Sequence, residues 1–329
     1  MRGRYFLFIF VMIAGLFVNG CMFTTLKLFT DASDPLQEFT LEGEEEGKVL
    51  MIPVHGIISD ISRKGMIQTE PSMVQDIVSQ LKLAEEDSEI KAVLFKIDSP
   101  GGSVTASDIL YHEIKSFKER TGVKVTAVIM NVAASGGYYM ALPADYIVAH
   151  PTSVTGSIGV IFLKPKFYGL MDKIGVDVKV NTSGENKDMG SPFRKETKAE
   201  DKIFQGLTDS LGKRFIDLVV ENRGLSPEVV KDISTARIYL AEEALQLGLV
   251  DEIGYISDAI SKTKALAELD EKSKVVVYRR VEFPDDNLYN TQTRFQGKTY
   301  SLIDLGLPDM SMLNRAGFYY LWPAGIGEQ

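Results

Sequence analysis

Residues 92–102 read Ala-Val-Leu-Phe-Lys-Ile-Asp-Ser-Pro-Gly-Gly, and this stretch decides the fold. Its first six residues form a short apolar run that predicts a buried strand, and two glycines then stop the run. We predict a helix over about 104–120 and a second strand over 123–130. That strand leads into another turn of small residues, 131–137, which is followed by a further helix. Strands alternating with helices indicate parallel βαβ units in a sheet that is covered on both faces.

The same pattern extends outward along the chain. Before the central stretch, residues 49–54 predict a strand and residues 71–87 an amphipathic helix. After it, the apolar periodicity predicts helices over 199–222, 226–233, 241–247 and 256–267, and strands over 144–149, 250–251 and 275–278. The predicted fold class is therefore α/β.

The N-terminal residues 1–28 predict a membrane anchor. Arg2 and Arg4 precede an uncharged span, 5–26, that is long enough to cross a bilayer as a helix. An acidic stretch follows, so the positive-inside rule places the N-terminus in the cytoplasm and the rest of the chain outside. Cys21 follows Gly20 in a segment similar to a lipoprotein cleavage site. An uncleaved anchor and a lipidated Cys21 remain alternatives, and both tether the protein to a membrane.

The composition argues against nucleic-acid binding and against a fold held by disulfides. The chain has 45% hydrophobic residues, 25% charged residues and a net charge of -9, which is typical of a folded protein without a basic surface for nucleic acid. Its single cysteine cannot form an intramolecular disulfide. Residues 29–47 are polar and acidic, so we predict a linker there, with the folded domain beginning at residue 48.

Ser135 is the candidate nucleophile. It stands among small residues where a predicted strand ends and a helix begins, although a simple helix N-cap would look the same. Gly101 and Gly102 follow the neighbouring strand and can expose backbone N–H groups to a developing oxyanion, although an ordinary turn is the alternative. Both turns fall at the carboxyl edge of the predicted sheet, where open α/β sheets build their sites.

The residues alone leave the base for this serine open. His55, His112 and His150 are the only histidines, and each fits a structural or surface position. A lysine would need an apolar site that lowers its pKa strongly, and spacing alone cannot choose one among many lysines.

Five segments in order resemble peptidase family S49, the signal peptide peptidase A family, in its short single-repeat form. They are Asp-Ser-Pro-Gly-Gly at 98–102, Asn-Val-Ala-Ala-Ser-Gly-Gly-Tyr-Tyr at 131–139, Thr-Gly-Ser-Ile-Gly-Val at 155–160, Lys-Asp-Met-Gly-Ser-Pro-Phe-Arg at 187–194 and Gly-Leu-Val-Asp-Glu-Ile-Gly at 248–254. The resemblance implies repeated ββα units like those of ClpP and the crotonases. It divides the chain into the anchor, the linker, a peptidase domain at 48–267 and a C-terminal extension at 268–329.

The resemblance also assigns roles to residues. It implies that Ser135 is the nucleophile, Lys187 the general base and Ser157 the residue that orients the lysine, with the N–H groups of Gly102 and Gly136 as the oxyanion hole. It further implies peptide substrates such as remnant signal peptides, a homo-oligomeric ring and no metal or cofactor. The expected location is the bacterial cell membrane, with the catalytic domain on the extracytoplasmic side.

The chain departs from the family pattern in two places. Glu185 and Asn186 precede Lys187 where a tyrosine or a basic residue is expected, and Ala236 replaces a glycine before Arg237. Two other classes of function stay open at this point: a non-catalytic membrane scaffold built on a protease fold, and a crotonase-type acyl-CoA enzyme. Membrane-protein quality control is an alternative source of substrates.

Overall fold

The computed structural model describes residues 34–64, 69–283, 285–289 and 316–324. The anchor predicted for residues 1–28, including Cys21, lies outside these residues. Among the helices that are described, none is both long and apolar enough to cross a membrane.

Strands and helices alternate along the described chain. The strands are β1 (Gln37–Glu42), β2 (Glu45–His55), β3 (Arg63–Lys64), β4 (Thr69–Glu70), β5 (Ile90–Ser99), β6 (Gly101–Ser103), β7 (Lys124–Ala134), β8 (Tyr146–Ala149), β9 (Val154–Gly156), β10 (Ile161–Leu163), β11 (Ile238–Leu240), β12 (Glu252–Ile253), β13 (Ser273–Arg279) and β14 (Gly317–Leu321). The helices are α1 (Met73–Glu86), α2 (Val104–Thr121), α3 (Gly136–Ala141), α4 (Tyr168–Ile174), α5 (Lys198–Arg223), α6 (Pro227–Ile233), α7 (Ala241–Gln246) and α8 (Ile256–Leu266).

The main sheet has the order β1-β13-β2-β5-β7-β8-β12. Every neighbouring pair from β13 to β12 is parallel, and β1 is antiparallel at the edge. The predicted α/β class is confirmed. A separate three-stranded antiparallel sheet of β10, β14 and β6 lies beside the carboxyl end of β5.

Two hydrophobic clusters cover the two faces of the main sheet. Along β2 the buried side chains alternate, so that Leu50 and Ile52 belong to the cluster that includes Ile77 of α1. Val49 and Met51 belong to the opposite cluster, with α8 packed on it. Burying side chains of this size is worth about 1.5–3 kcal/mol each, which explains why the strands read as continuous apolar runs.

The predicted linker at 29–47 differs from the structure. Residues 37–42 form β1 and pair with β13, because Phe39 and Leu41 alternate with polar residues and pack on the cluster that includes Val275 and Val277. Charge alone suggested a linker, but the alternation places two apolar side chains on one face. β13 itself falls in the predicted C-terminal extension, and it is inserted between β1 and β2.

The strand β7 changes partner near its end, and this change positions the site. Residues 126–129 pair with β8, whereas 132–134 pair with β9. β5 ends beside this fork, with Ser99 in register with Ala133. The two turns predicted from the sequence therefore meet at the same edge of the sheet.

Ala236 adopts a left-handed conformation with φ 59°, in the turn between α6 and β11. This conformation costs a residue with a Cβ about 1–2 kcal/mol. We predict that Ala236→Gly raises the free energy of unfolding by about 0.5–1 kcal/mol, because glycine removes that strain at a smaller entropic cost. Denaturant titration of the full chain measures the change. Ala265→Gly, at an exposed position of α8, is the matched control and is expected to lower stability by about 0.5–1 kcal/mol. Equal losses in both variants would contradict the strain at Ala236.

Candidate active site

Ser135 is held in a strained backbone conformation between β7 and α3. Its φ of 52° and ψ of -114° are unusual for a residue with a Cβ. Its N–H donates to the Gly156 carbonyl oxygen at 2.7 Å, and its own carbonyl accepts from Tyr139 N–H at 2.9 Å, within the first turn of α3. The residue is completely buried, and Oγ lies 3.5 Å from the carbonyl oxygen of Gly159. Strain of this kind persists only where neighbouring structure imposes it, which is typical of functional sites.

The turn after β5 requires glycine at two consecutive positions. A Cβ on Gly102 would overlap the Ile58 carbonyl oxygen, and one on Gly101, at φ 100°, would overlap the Tyr320 carbonyl oxygen. Ile58 N–H donates to the Gly101 carbonyl at 2.9 Å, and Ser103 N–H donates to the Ile58 carbonyl at 3.0 Å. Because alternate residues of a strand direct their hydrogen-bonding groups to opposite sides, the Gly102 N–H faces away from Ile58.

The backbone groups of Gly102 and Gly136 lie close together beside the serine. A Cβ on Gly136 would lie 3.1 Å from the Gly102 nitrogen, and one on Gly101 would lie 2.7 Å from the Gly136 nitrogen. The structure thus brings together three of the residues predicted for the site, Ser135, Gly102 and Gly136. Two adjacent amides next to a buried hydroxyl are the arrangement that stabilises an oxyanion during acyl transfer.

The strand β14 lies in a slot between β6 and β10. It is antiparallel to both, and Tyr320 pairs with Gly102. Trp322 N–H donates to the Pro100 carbonyl at 2.9 Å, which continues the same ladder. The Tyr320 carbonyl oxygen is 3.0 Å from the position that a Gly136 Cβ would occupy. An extended peptide segment of the chain therefore lies directly against both candidate oxyanion donors.

Aromatic contacts hold β14 in this slot. The Tyr320 ring is fully buried, with its centroid 4.9 Å from that of Tyr139 and 4.8 Å from that of Phe215 on α5. Its hydroxyl donates to the Leu211 carbonyl oxygen at 3.0 Å. Phe318 stacks on Phe162 of β10 at 4.4 Å. These residues fall in the predicted C-terminal extension, where no strand was predicted for 317–321, because five residues show no periodicity long enough to identify a strand.

Lys187 and Ser157 are less buried than Ser135. Ser157 directly follows the Gly156 carbonyl that anchors Ser135; it is half-buried at φ 51°, and its N–H donates to the Arg237 carbonyl at 2.8 Å. Lys187 is exposed on a turn that precedes α5. Within the described part of the chain, no hydrogen bond joins its Nζ to Ser135. The roles predicted for Lys187 and Ser157 stay predictions.

The histidines make other contacts. His55 Nδ1 lies 3.4 Å from Asp98 Oδ2, His112 Nε2 lies 3.5 Å from Ser116 Oγ, and His150 Nδ1 lies 3.0 Å from Thr152 Oγ1. Among the described residues, none of the three is hydrogen-bonded to Ser135.

Arg194 fixes the segment that carries Lys187. Its guanidinium donates to both carboxylate oxygens of Asp188, at 2.7 and 2.8 Å, and to the Glu200 carboxylate at the start of α5. Glu200 also accepts from the Thr197 N–H at 2.8 Å, as part of a capping box. Arg194 and then this N–H lower the pKa of Glu200 to about 2. Through Arg194, the exposed turn that carries Lys187 is therefore connected to the start of α5.

Exposed apolar side chains flank the same segment in sequence. The chain from α4 to α5 leaves ten large apolar side chains exposed, and clusters of such side chains often mark interaction surfaces. They are Phe167, Tyr168, Leu170, Ile174, Val176, Val178, Val180, Phe193, Ile203 and Leu207.

Comparisons with known proteins agree with the motifs. Residues 118–270 match a family model described as peptidase family S49, and residues 59–155 match one described as Clp protease. A putative signal peptide peptidase SppA of Enterococcus faecium is 33% identical over 82% of this chain and 79% of its own length. A putative protease of Synechocystis is 37% identical over 68% of this chain and 76% of its own length. Protease 4 of Haemophilus influenzae is 32% identical over 79% of this chain, but the match spans only 40% of that protein.

We predict that Gly102→Ala abolishes peptidase activity and destabilises the chain, because the new methyl group would overlap the Ile58 carbonyl oxygen. Hydrolysis of a fluorogenic peptide and the thermal midpoint measure the two effects. Gly212→Ala on α5 is the control, since a Cβ there meets no atom within 4 Å. It is expected to keep activity and to raise stability by about 0.5–1 kcal/mol. An active Gly102→Ala enzyme would contradict the close approach at this turn.

A second prediction concerns pH. The pKa of Glu200 is lowered from its ordinary value of 4.5, so its ion pair with Arg194 stabilises the fold above that value and is lost as pH falls toward 2. Arg194→Ala should therefore lower the thermal midpoint most at pH 7, and the difference from wild type should shrink below about pH 4.5. Lys213→Ala removes the exposed pair with Asp217 and should change the midpoint little at any pH. A constant difference between Arg194→Ala and wild type across this range would contradict the pairing.

Proposed function

The chain belongs to peptidase family S49 and is a serine peptidase, and on that premise we propose that it is a membrane-tethered endopeptidase with a Ser135–Lys187 dyad. The observation that carries the proposal is the position of Ser135, buried at a strained junction beside the amides of Gly102 and Gly136. Family membership argues against the scaffold and acyl-CoA alternatives, because both lack peptide hydrolysis.

The proposed substrate is an extended peptide that pairs with β6 and β10. The chain's own β14 supports this binding mode, because it lies between these two strands with Tyr320 paired to Gly102, and the substrate would take its place. Strand addition lets main-chain hydrogen bonds supply affinity, while pockets for alternate side chains supply selectivity. Folded proteins cannot present such a strand, so the substrates are unfolded segments. Remnant signal peptides fit this description, and the Enterococcus faecium relative is named for them.

We place the two dyad residues on neighbouring copies of the chain. Ser135 is fully buried, whereas Lys187 is exposed in a segment whose flanking residues leave many apolar side chains uncovered in one chain. A second copy covering this surface would exclude water from Lys187, and desolvation lowers the pKa of a lysine toward the neutral form that a base requires. Repetition of one such head-to-tail contact closes a ring.

The chemistry proceeds through an acyl-enzyme. Neutral Lys187 takes the Ser135 hydroxyl proton while Oγ attacks the peptide carbonyl carbon, and the N–H groups of Gly102 and Gly136 stabilise the oxyanion. Lys187 then returns the proton to the leaving amine as the C–N bond breaks. A water molecule, deprotonated by the same lysine, then attacks the ester carbonyl carbon. Lys187 returns that proton to Ser135 Oγ as the ester C–O bond breaks, which releases the acid product and restores the free serine. In a serine protease where it was measured, removing one oxyanion donor cost about 3 kcal/mol.

The tether is the part of the proposal that rests on residues 1–28. Their charge pattern predicts that the peptidase domain lies outside the cytoplasm, at the bilayer where signal peptides remain after cleavage.

We predict that Ser135→Ala and Lys187→Ala each lower kcat at least about a thousand-fold in the full chain in detergent, because each removes one half of the dyad. Lys82→Ala, an exposed lysine on α1, is the control and should keep wild-type activity. Co-assembly of the two inactive variants distinguishes a dyad within one chain from a dyad between neighbouring chains. If the dyad forms between chains, about one quarter of the interfaces in a mixed ring regain both residues, and activity returns in that proportion.

No recovery in the mixture would place both residues in one chain. Full activity of Lys187→Ala would show that another group is the base. Activity in Ser135→Ala would overturn the proposed nucleophile.

A further inference from the structure

The buried hydroxyl of Ser99 makes two hydrogen bonds at the base of the site. Its Oγ donates to the Gly56 carbonyl oxygen at 2.6 Å and accepts from the Gly101 N–H at 3.1 Å. The residue has no exposed surface. Both partners are backbone groups, so this one side chain connects the segment after β2 with the turn that carries Gly102.

The turn needs such a connection because glycine does not hold a conformation by itself. Gly101 must be glycine at φ 100°, and glycine visits many conformations at similar energy. Ile58 fixes the turn on one side through its two backbone hydrogen bonds. The Ser99 hydroxyl fixes the residue immediately before Gly102, and therefore the direction of the Gly102 N–H.

Ser99 also contacts the second turn. It is in register with Ala133 on β7, and a Cβ on Gly137 would lie 2.6 Å from the Ser99 carbonyl oxygen. Its hydroxyl therefore holds one turn, while its carbonyl packs against the residue that follows Gly136.

We propose that Ser99 is a positioning residue that sets the Gly102 and Gly136 amides at the spacing an oxyanion needs. The inference rests on the oxyanion hole of the proposed function. Without the hydroxyl, Gly101 N–H and the Gly56 carbonyl lose their shared partner, and the Gly102 amide shifts. An error of about 1 Å in such a donor lowers the rate up to about a hundred-fold, while binding of the substrate strand elsewhere is unaffected.

The test compares Ser99→Ala with Ser273→Ala in the full chain. Ser273 is equally buried, and its Oγ donates to the Glu46 carbonyl at 2.8 Å, but it begins β13 at the opposite end of the sheet. Both variants should lose similar stability in thermal unfolding. Only Ser99→Ala should lower kcat, by about ten- to a hundred-fold, with KM within about two-fold of wild type.

A peptide aldehyde adds a second readout, because its adduct with Ser135 carries the oxygen that the amides bind. Its affinity should fall by the same factor as kcat in Ser99→Ala, while a cleaved product peptide should bind as to wild type. Ser99→Cys keeps a weak donor and acceptor of similar size and should give an intermediate kcat.

Wild-type kcat in Ser99→Ala, with stability lowered as in Ser273→Ala, would overturn the positioning role. If Ser99→Ala does not fold, Ser99→Cys decides in the same way: lower kcat at constant KM supports the role, and wild-type kcat overturns it. Peptidase activity that survives Ser135→Ala would instead show that the proposed nucleophile, rather than Ser99, is wrong.

Discussion

The turns that follow β5 and β7 approach each other so closely that a Cβ on Gly101 would meet the backbone nitrogen of Gly136. Gly101, Gly102 and Gly136 each lack room for a Cβ, and the atoms in the way are mostly backbone groups of the other elements at this edge. Close approach places two amides next to Ser135 and opens a slot into which a strand fits. Removing any of these glycines would separate the amides, so the nucleophile, the oxyanion donors and the strand slot depend on one constraint.

Much of this arrangement could be predicted from the sequence. The apolar runs at β5 and β7 and the small residues after them indicated two parallel strands whose turns meet at one edge, since strands buried on both faces read as unbroken apolar runs. The nucleophile and the amides followed from the same turns together with the family resemblance. Residues 37–42 were misjudged because the two apolar side chains that pack on the sheet lie within a segment, 29–47, that carries seven acidic residues. β14 and β9 were missed because strands of three to five residues, paired over long distances, carry no readable period.

Ser135 and Lys187 both belong to the family motifs, but the structure of one chain positions them differently. Ser135 is positioned by hydrogen bonds within its own domain, through Gly156 and the first turn of α3. Lys187 has its backbone fixed by Arg194 and the start of α5, but its side chain is exposed. The family motif implies a role for both residues, whereas the described chain accounts for the environment of Ser135 alone. The residues that flank Lys187 in sequence include many exposed apolar side chains.

The place of β13 in the sheet has a consequence for how the chain folds. β13 lies between β1 and β2 and pairs in parallel with β2, so Ser273 is opposite Glu45 although more than two hundred residues separate them in sequence. Pairings over such separations form late, since the entropy of closing the intervening loop must be overcome first. During synthesis the sheet stays open at β2 until residue 279 has emerged.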